Sequence, residues 1–307
     1  SLLHPTRQGE IMNKACFVEL DLRQAEWIVT AFAAQEPKMM DIYWSGKDPH
    51  LSTGTLLSGA PAEIVLEDSK LVGHDTDPLD IAKKRKAFSV ETMSNYYFPR
   101  SMAIRQAGKK SNHGFNYRMG FKRFALENEI KEAESKIIHS RYHQAYPGLN
   151  SWYEEIEHTM RTTRTLETCF GDKRRFLAAH TTEMVNEAIS WTPQTTVARV
   201  TKYGMVGIYN DSRLKDKVDL RANVHDSVLV RIEYSSIPDL INLIRTAKSH
   251  MGEPLEYHHR EFTLRVDAKV GVNWGYMEEI PETITDEGVV EAALEKSIGK
   301  AEEAQGR

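Results

Sequence analysis

Within the stretch RQAGKKSNHGFNY (105–117), Arg105, Lys109, His113 and Tyr117 recur at every fourth position. On an α-helix each such step drifts only ~40° around the axis and climbs ~6 Å, so the four side chains form one slowly winding stripe. Two cations lie at one end of it and two flat polar rings at the other. Cationic side chains hold phosphate oxygens, and rings offer stacking surfaces. The stripe therefore suits a molecule with an anionic tail and a flat head, such as a nucleoside triphosphate. Taken alone, a basic helix with a tyrosine is more often a solvated face.

Two aspartates far from each other in the chain give that stripe a context. The apolar run ACFVEL (15–20) reads as a buried strand that delivers Asp21. A helix over 24–35 follows, with Glu26 on its first turns, so Asp21 is equally placed to be a helix N-cap. Further on, LRANVHDSVLVRIE reads as a hairpin with His225, Asp226 and Ser227 at its tip. An acid at a tip is commonly a turn former. Apolar residues flank this one (Val224 before it; Val228, Leu229 and Val230 after), and an unpaired carboxylate beside a core is costly. A cation is expected to satisfy it. Two strand-borne aspartates with a phosphate-gripping helix between them describe two-metal phosphoryl transfer. Mg²⁺ takes hard oxygen ligands and keeps substrate phosphates among them. Two such ions ~3.5–4 Å apart stabilise both the attacking and the leaving oxygen. The chemistry requires the two aspartates on neighbouring strands, facing the Arg105/Lys109 flank.

The 307 residues allow one large or two ordinary domains, and 40% hydrophobic with 27% charged residues describes a soluble globular protein. A net charge of −4 argues neither for nor against nucleic acid. Cys16 and Cys169, without a CxxC, exclude a disulfide framework and a zinc knuckle and read as buried small hydrophobes in a reducing compartment. No signal peptide and no membrane-spanning apolar run is visible. Residues 1–14 are polar. Residues 55–100 look irregular, broken by Pro61, Gly73, Pro78 and Pro99, with a surface insertion. The pattern predicts helices over 121–144, 149–165, 181–202 (with a kink or break at Pro193) and 237–251, a turn pivoting on Gly171, and a last strand over 262–270. Residues 278–307, rich in Glu and Ala, read as a separate tail helix or a disordered end.

These residues resemble the polymerase core of family A (DNA polymerase I-like) DNA polymerases, most closely the bacteriophage branch. The resemblance covers roughly residues 15–277. ELDLRQAEWIVTAFA is similar to motif A, RQAGKKSNHGFNYRMG to motif B and VHDSVLV (224–230) to motif C. YPG (146–148), ETCFGDKRRF (167–176), the Gln194 region and VDAKVGVNWG support it. It implies an α+β fold: a palm, an antiparallel sheet with packed helices, plus mostly helical fingers, with no exonuclease domain and no thumb in this chain. The expected division is palm at 1–52, fingers at 53–165 (motif B helix 105–120, insertion 58–90), palm again at 166–277 and an acidic tail at 278–307.

The resemblance also implies roles. Asp21 and Asp226 fall on the metal-binding aspartates, the Leu22 carbonyl being a further ligand, for two Mg²⁺ ions with Mn²⁺ as the alternative. Glu26 falls on the steric-gate glutamate that rejects ribonucleotides. Arg105 and Lys109 fall on the triphosphate-binding pair, Lys109 also being placed to protonate the pyrophosphate leaving group. Tyr117 falls beside the template base, His225 near the primer terminus, and Gln194 on a glutamine that reads the minor groove. Three positions depart from the pattern. His113 stands where Phe or Tyr is usual, which makes pH-dependent nucleotide affinity an expectation. Ser227 replaces the usual Glu after the motif C aspartate. Arg118 replaces a small residue and is a candidate template-phosphate contact. The implied activity is DNA-directed DNA synthesis from dNTPs on primer–template DNA. The expected partner is another polypeptide supplying thumb or exonuclease, and the expected setting the cytoplasm, a bacterial host's if phage-encoded, with no membrane. The alternatives are a catalytically weak scaffold or DNA-binding subunit and a single-subunit RNA polymerase-like enzyme, the latter opposed by Glu26.

Overall fold

The computed structural model describes residues 14–284 and 286–305; the polar stretch 1–13 lies outside them. Strand β1 (Lys14–Arg23) leads into α1 (Ala25–Ala33), α2 (Pro37–Trp44), α3 (Pro49–Ser58), α4 (Ala62–Val72), α5 (Pro78–Lys84), α6 (Val90–Asn95) and α7 (Ile104–Phe115). Helices α8 (Phe121–Glu127), α9 (Glu132–Ala145) and α10 (Gly148–Arg161) come next, then the short strands β2 (Thr165–Glu167) and β3 (Lys173–Arg175) and the long helix α11 (Thr182–Asn210). The chain closes with β4 (Val218–Val224), β5 (Ser227–Tyr234), α12 (Ile237–Ser249), β6 (Leu255–Tyr257), β7 (Arg260–Phe262), β8 (Arg265–Gly271), β9 (Glu278–Ile280) and α13 (Glu287–Gln305). Two compact units result. A sheet unit comprises the described residues up to Ala25, Thr196–Glu256 and those from Glu261 onward, and a helical unit Glu26–Thr195 with Tyr257–Arg260. The fold is α+β, as expected.

In the sheet unit five strands pair antiparallel in the order β4-β5-β1-β8-β9. Burial alternates along β1. Cys16, Val18, Leu20 and Leu22 are buried, whereas Phe17, Glu19, Asp21 and Arg23 are half-buried. Side chains on a strand point alternately to the two faces, so one face of the sheet is dry and the other carries the charged residues. Helix α12 packs on β5, and α13 on β8, β9 and α12.

One expectation changes in this unit. The described residues of 278–305 are part of the fold, because β9 extends the sheet and α13 buries Val290, Ala293, Leu294, Ser297 and Ala301 along one side. Lys296 and Lys300 both hold Glu278. The helix is short of large apolar residues, which is why composition alone suggested a detached end. Asp226 makes no ion pair with a Lys, Arg or His side chain among the described residues. In the helical unit, the expectation that both cysteines are buried changes, because Cys169 is only half-buried, unlike Cys16.

In the helical unit, residues 55–100 hold ordered helices. A buried ion pair organises them. The fully buried Asp68 of α4 accepts from Arg85 at 2.7 and 3.0 Å, and Arg85 also donates to the backbone carbonyls of Pro99 and Met102. Asp68 Oδ2 accepts from the Ile104 N–H at 2.7 Å as well. That bond caps α7, whose own cap residue, Ala103, has no side chain able to do so. The predicted 121–144 helix is two helices, α8 and α9. Glu129 takes a left-handed φ of +55°, while Ile130 N–H bonds Ala125 O and Glu129 N–H bonds Leu126 O, the pattern of a Schellman stop. Helix α11 runs unbroken through Pro193; buried residues before it (Val185, Ala188, Ile189) and after it (Val197, Val200) outweigh the one lost hydrogen bond. Gly171 is the pivot of its turn, with φ +79°.

Helix α7 is pressed against α3 where Gly54 and Gly108 meet. A Cβ on Gly108 would lie 2.4 Å from His50 O and 2.7 Å from Gly54 N, both backbone atoms. The contact is sealed by a buried chain of hydrogen bonds. Asn112 Nδ2 donates to His50 Nδ1 (3.1 Å), Thr53 Oγ1 donates to Asn112 Oδ1 (3.0 Å), and Thr53 meets the Tyr146 hydroxyl (2.8 Å). Gly148, the last residue of YPG, is equally constrained, because its N–H donates to the buried Glu36 carboxylate at 2.5 Å and leaves no room for a side chain. Substituting Gly108→Ala is expected to force α3 and α7 apart and to cost about 1–3 kcal/mol, read as a lower urea midpoint at unchanged m-value.

Candidate active site

Asp21 sits near the end of β1, between two partners on the polar face: Ser227 on β5 and Asp267 on β8. Asp226 occupies the two-residue turn between β4 and β5, and its carbonyl accepts from the Leu22 N–H at 3.2 Å. An antiparallel partner shares both its N–H and its C=O with the same neighbour, so the Leu22 carbonyl lies on the Asp226 side of β1. Asp21 and Leu22 on β1 and Asp226 in the adjoining turn thus lie side by side at one end of the sheet. The hairpin tip is held by its own residues. Ser227 Oγ donates to Val224 O (3.0 Å) and Asn223 Nδ2 to Ser227 O (2.9 Å). The serine that replaces the usual Glu therefore locks the turn that presents Asp226. His225 takes a left-handed φ of +55°, which two-residue hairpins require at their first position.

The surroundings of Asp21 are acidic. Burial pushes its carboxyl up from 3.8 to about 6, and the charge of Asp226 adds to this, with smaller pushes from Glu19 and Asp267 against the pull of Lys269. The nearby cations are spent on other acids. Lys269 pairs with Glu19 (3.5 Å), Arg23 with Asp267 (3.7 Å), and Trp274 Nε1 donates to Glu19 (2.8 Å). Glu19 and Asp267 escaped the sequence reading; their strand alternation with Asp21 was the available signal. Among the described residues no group of three or more His, Cys, Asp or Glu forms a metal cage.

The helical unit places the remaining residues. Arg105 and Lys109 lie one turn apart on α7. Arg105 donates through Nε (3.0 Å) and Nη2 (2.6 Å) to Asp48 Oδ2, whereas Lys109 is exposed and makes no ion pair among the described residues. Asp48 went unnoticed in the sequence because DPH reads as a turn. Burial would raise its pKa, but hydrogen bonds from Arg105 and from His50 N–H overcome that and lower it. The His113 ring lies 5.7 Å from that of His50. Desolvation and then the Lys109 ammonium lower the His113 pKa, against the opposing pull of Glu26. Burial holds His50 down at about 4 against the pull of Asp48, with His113, Arg105 and Lys109 adding to the lowering. Tyr117 donates a short hydrogen bond to Glu26; burial and that carboxylate keep the phenol protonated. Arg118, at φ +59°, pairs with Glu157 (3.0 Å), which also holds Arg161 (2.8 Å). A positive φ is a backbone conformation that glycine adopts at least cost, so an arginine here is held against a local preference. Gln194 is exposed on α11.

A family model, DNA polymerase family A, matches residues 83–276, a span that includes α7 and the β4–β5 hairpin. The chain belongs to DNA polymerase family A. A thermostable DNA polymerase I from Thermus caldophilus is 25% identical over 268 residues, covering 84% of this chain and 26% of that protein. DNA polymerase I of Helicobacter pylori (strain J99) is 22% identical over 241 residues, covering 76% and 23%. The chain thus spans about a quarter of the length of these family A relatives. Among solved structures, the POL domain of Pol1 from M. smegmatis in complex with DNA primer-template and dNTP shares the fold. It has a TM-score of 0.63 at 17% identity, covering 84% of this chain and 40% of that one. These family A relatives are bacterial and do not single out the bacteriophage branch. No described helix is long and apolar enough to cross a membrane.

The folded protein holds a proton on Asp21 more tightly than the unfolded chain does. Ionising Asp21 therefore costs stability as pH rises from about 4 to about 6, and the full cost persists above that range. Asp21→Asn is expected to raise stability by about 1–2 kcal/mol at pH 7.5 in EDTA, discounted for partial solvent screening, and to raise it by nothing near pH 3.5. Thermal melts at the two pH values read the difference.

Proposed function

We propose that this chain carries out template-directed DNA synthesis, adding a deoxynucleotide to a primer 3′-hydroxyl with release of pyrophosphate. The observation that carries the reading is the neighbouring pair of carboxylates, Asp21 near the end of β1 and Asp226 in the adjoining β4–β5 turn, neither in an ion pair among the described residues, in a member of this family. The donor set fits Mg²⁺, a hard ion that accepts few protein oxygens and completes its shell with water and substrate phosphates. Asp21, Asp226 and the Leu22 carbonyl would hold it. When bound, two such ions would supply charge stabilisation to the attacking and leaving oxygens. That Asp226 makes no ion pair among the described residues supports this, since a lysine or arginine there would neutralise the ligand.

The helical unit would supply the grip on the nucleotide. Lys109, exposed on α7, would hold phosphate oxygens and donate a proton to the pyrophosphate leaving group. Arg105 would add a directed fork. The Glu26 carboxylate, fixed by Tyr117, would stand as a rigid wall against a 2′-hydroxyl; a carboxylate free to rotate would yield. His225, Gln194 and Arg118 remain candidates for DNA contact, Arg118 only after release from Glu157. A second reading, a non-catalytic DNA-binding subunit, draws on Ser227, which leaves the hairpin tip without a second carboxylate beside Asp226. The palm and fingers division and the 58–90 insertion belong to the same proposal.

Primer extension with the full chain separates these readings. Incorporation of dNTPs in Mg²⁺ or Mn²⁺, abolished by Asp226→Asn, is expected, with Glu26→Ala admitting ribonucleotides at least about 10²-fold better. DNA binding without any extension would establish the subunit reading instead.

His113 provides a separate check. Its lowered pKa leaves the ring neutral at physiological pH, so the dNTP affinities of the protein and of His113→Phe should keep a constant ratio above pH 7. Below the ordinary imidazole range the imidazolium should favour the triphosphate and tighten binding relative to the Phe variant. A ratio that instead changes between pH 7 and 8 would contradict the assigned environment.

A further inference from the structure

The Arg105–Asp48 pair is unusual in how completely the acid is fixed. Asp48 Oδ1 accepts from the His50 N–H at 2.8 Å and so caps α3, while Oδ2 takes both Arg105 bonds. Helix α3 is itself clamped to α7 by the Gly54–Gly108 contact and by the Asn112–His50 bond. The carboxylate thus stands at a set place relative to the backbone that carries Arg105. Both side chains are partly exposed, at 37% and 24%, and such pairs contribute little to stability. Its effect falls on geometry. The Nε and Nη2 edge of the guanidinium is turned toward Asp48, which leaves Nη1 and the second Nη2 hydrogen directed elsewhere. Arginine otherwise samples many rotamers, and a fork held in advance loses less freedom when it binds. One turn along, Lys109 is exposed and makes no ion pair among the described residues.

We propose that Asp48 is a positioning residue that holds the Arg105 fork in the orientation that receives the nucleotide's phosphates. This rests on the reading of Arg105 as a phosphate ligand. The opposite role, a counter-ion that competes with the nucleotide for Arg105, would require the acid to move away on binding. Its second bond, to the α3 cap, resists that movement.

Asp48→Asn isolates the effect. Asparagine caps a helix as well as aspartate does, but its single acceptor oxygen is used by that cap, and Arg105 is released. In steady-state primer extension by the full chain, the KM for dNTP is expected to rise about 5- to 10-fold with kcat changed less than about twofold. Combined with Arg105→Ala, the substitution should add no further rise. Asp48→Ser, which also keeps the cap, serves should the first variant fold poorly, and the same result is expected. A lower KM in Asp48→Asn would identify a competing counter-ion and overturn the proposal. An unchanged KM where Arg105→Ala raises it would also overturn the proposal, as would additive effects in the double variant, while leaving the phosphate reading intact. If Arg105→Ala itself leaves KM unchanged, the phosphate reading falls and the proposal with it.

Discussion

The pleat of β1 is the constraint on which the sheet unit rests. The strand pairs on both edges, with β5 and β8, and every second residue from Cys16 to Leu22 is buried. A slip of one residue would turn Leu20 and Leu22 to the polar face and drive Glu19 and Asp21 into the core. Each large apolar side chain so exposed costs about 1.5–3 kcal/mol, and each buried unpaired carboxylate costs more. The register is therefore held by residues with no chemistry of their own. It places Asp21 on the open face, in line with Asp267 and Ser227.

Having been placed there, Asp21 is left uncomfortable. Its neighbours are acids, and the cations nearby are engaged by Glu19 and Asp267. An arrangement that raises a carboxyl pKa and offers it no partner lowers stability, and such arrangements cluster at functional sites. The hairpin tip follows the same logic. His225 adopts a left-handed backbone and Ser227 spends its hydroxyl on the turn, so the local cost goes into presenting Asp226.

The helical unit solves a different problem, holding one basic helix at a defined place. Helix α7 starts without a capping side chain of its own and takes its cap from Asp68, whose charge Arg85 neutralises. Its middle is held at glycine-to-glycine distance from α3, and its first arginine is tied to the start of that helix. The segment before α7 that reads as a loose insertion is the scaffold of this arrangement. A buried ion pair is costly to form but strongly destabilising to break, so it specifies the position of α7 more than it adds stability.

Much of this was legible in the order of residues. The strand alternation of β1 and β5, the four-residue stripe of α7, the hairpin around Asp226 and the pivot at Gly171 all depend on neighbours within a few positions, where side-chain period and turn chemistry act directly. Less legible were the elements whose ends are set by remote contacts, such as the Schellman stop at Glu129, the unbroken α11 through Pro193 and the anchoring of α13. Sequence alone determined which residues carry charge and which face of each element they occupy. Tertiary structure alone decided how those charges are used: Arg105 meets Asp48 57 positions away, Arg85 meets Asp68 17 away, and Asp226 makes no ion pair among the described residues. Pairing at such separations depends on how helices and strands pack, and no local periodicity encodes it.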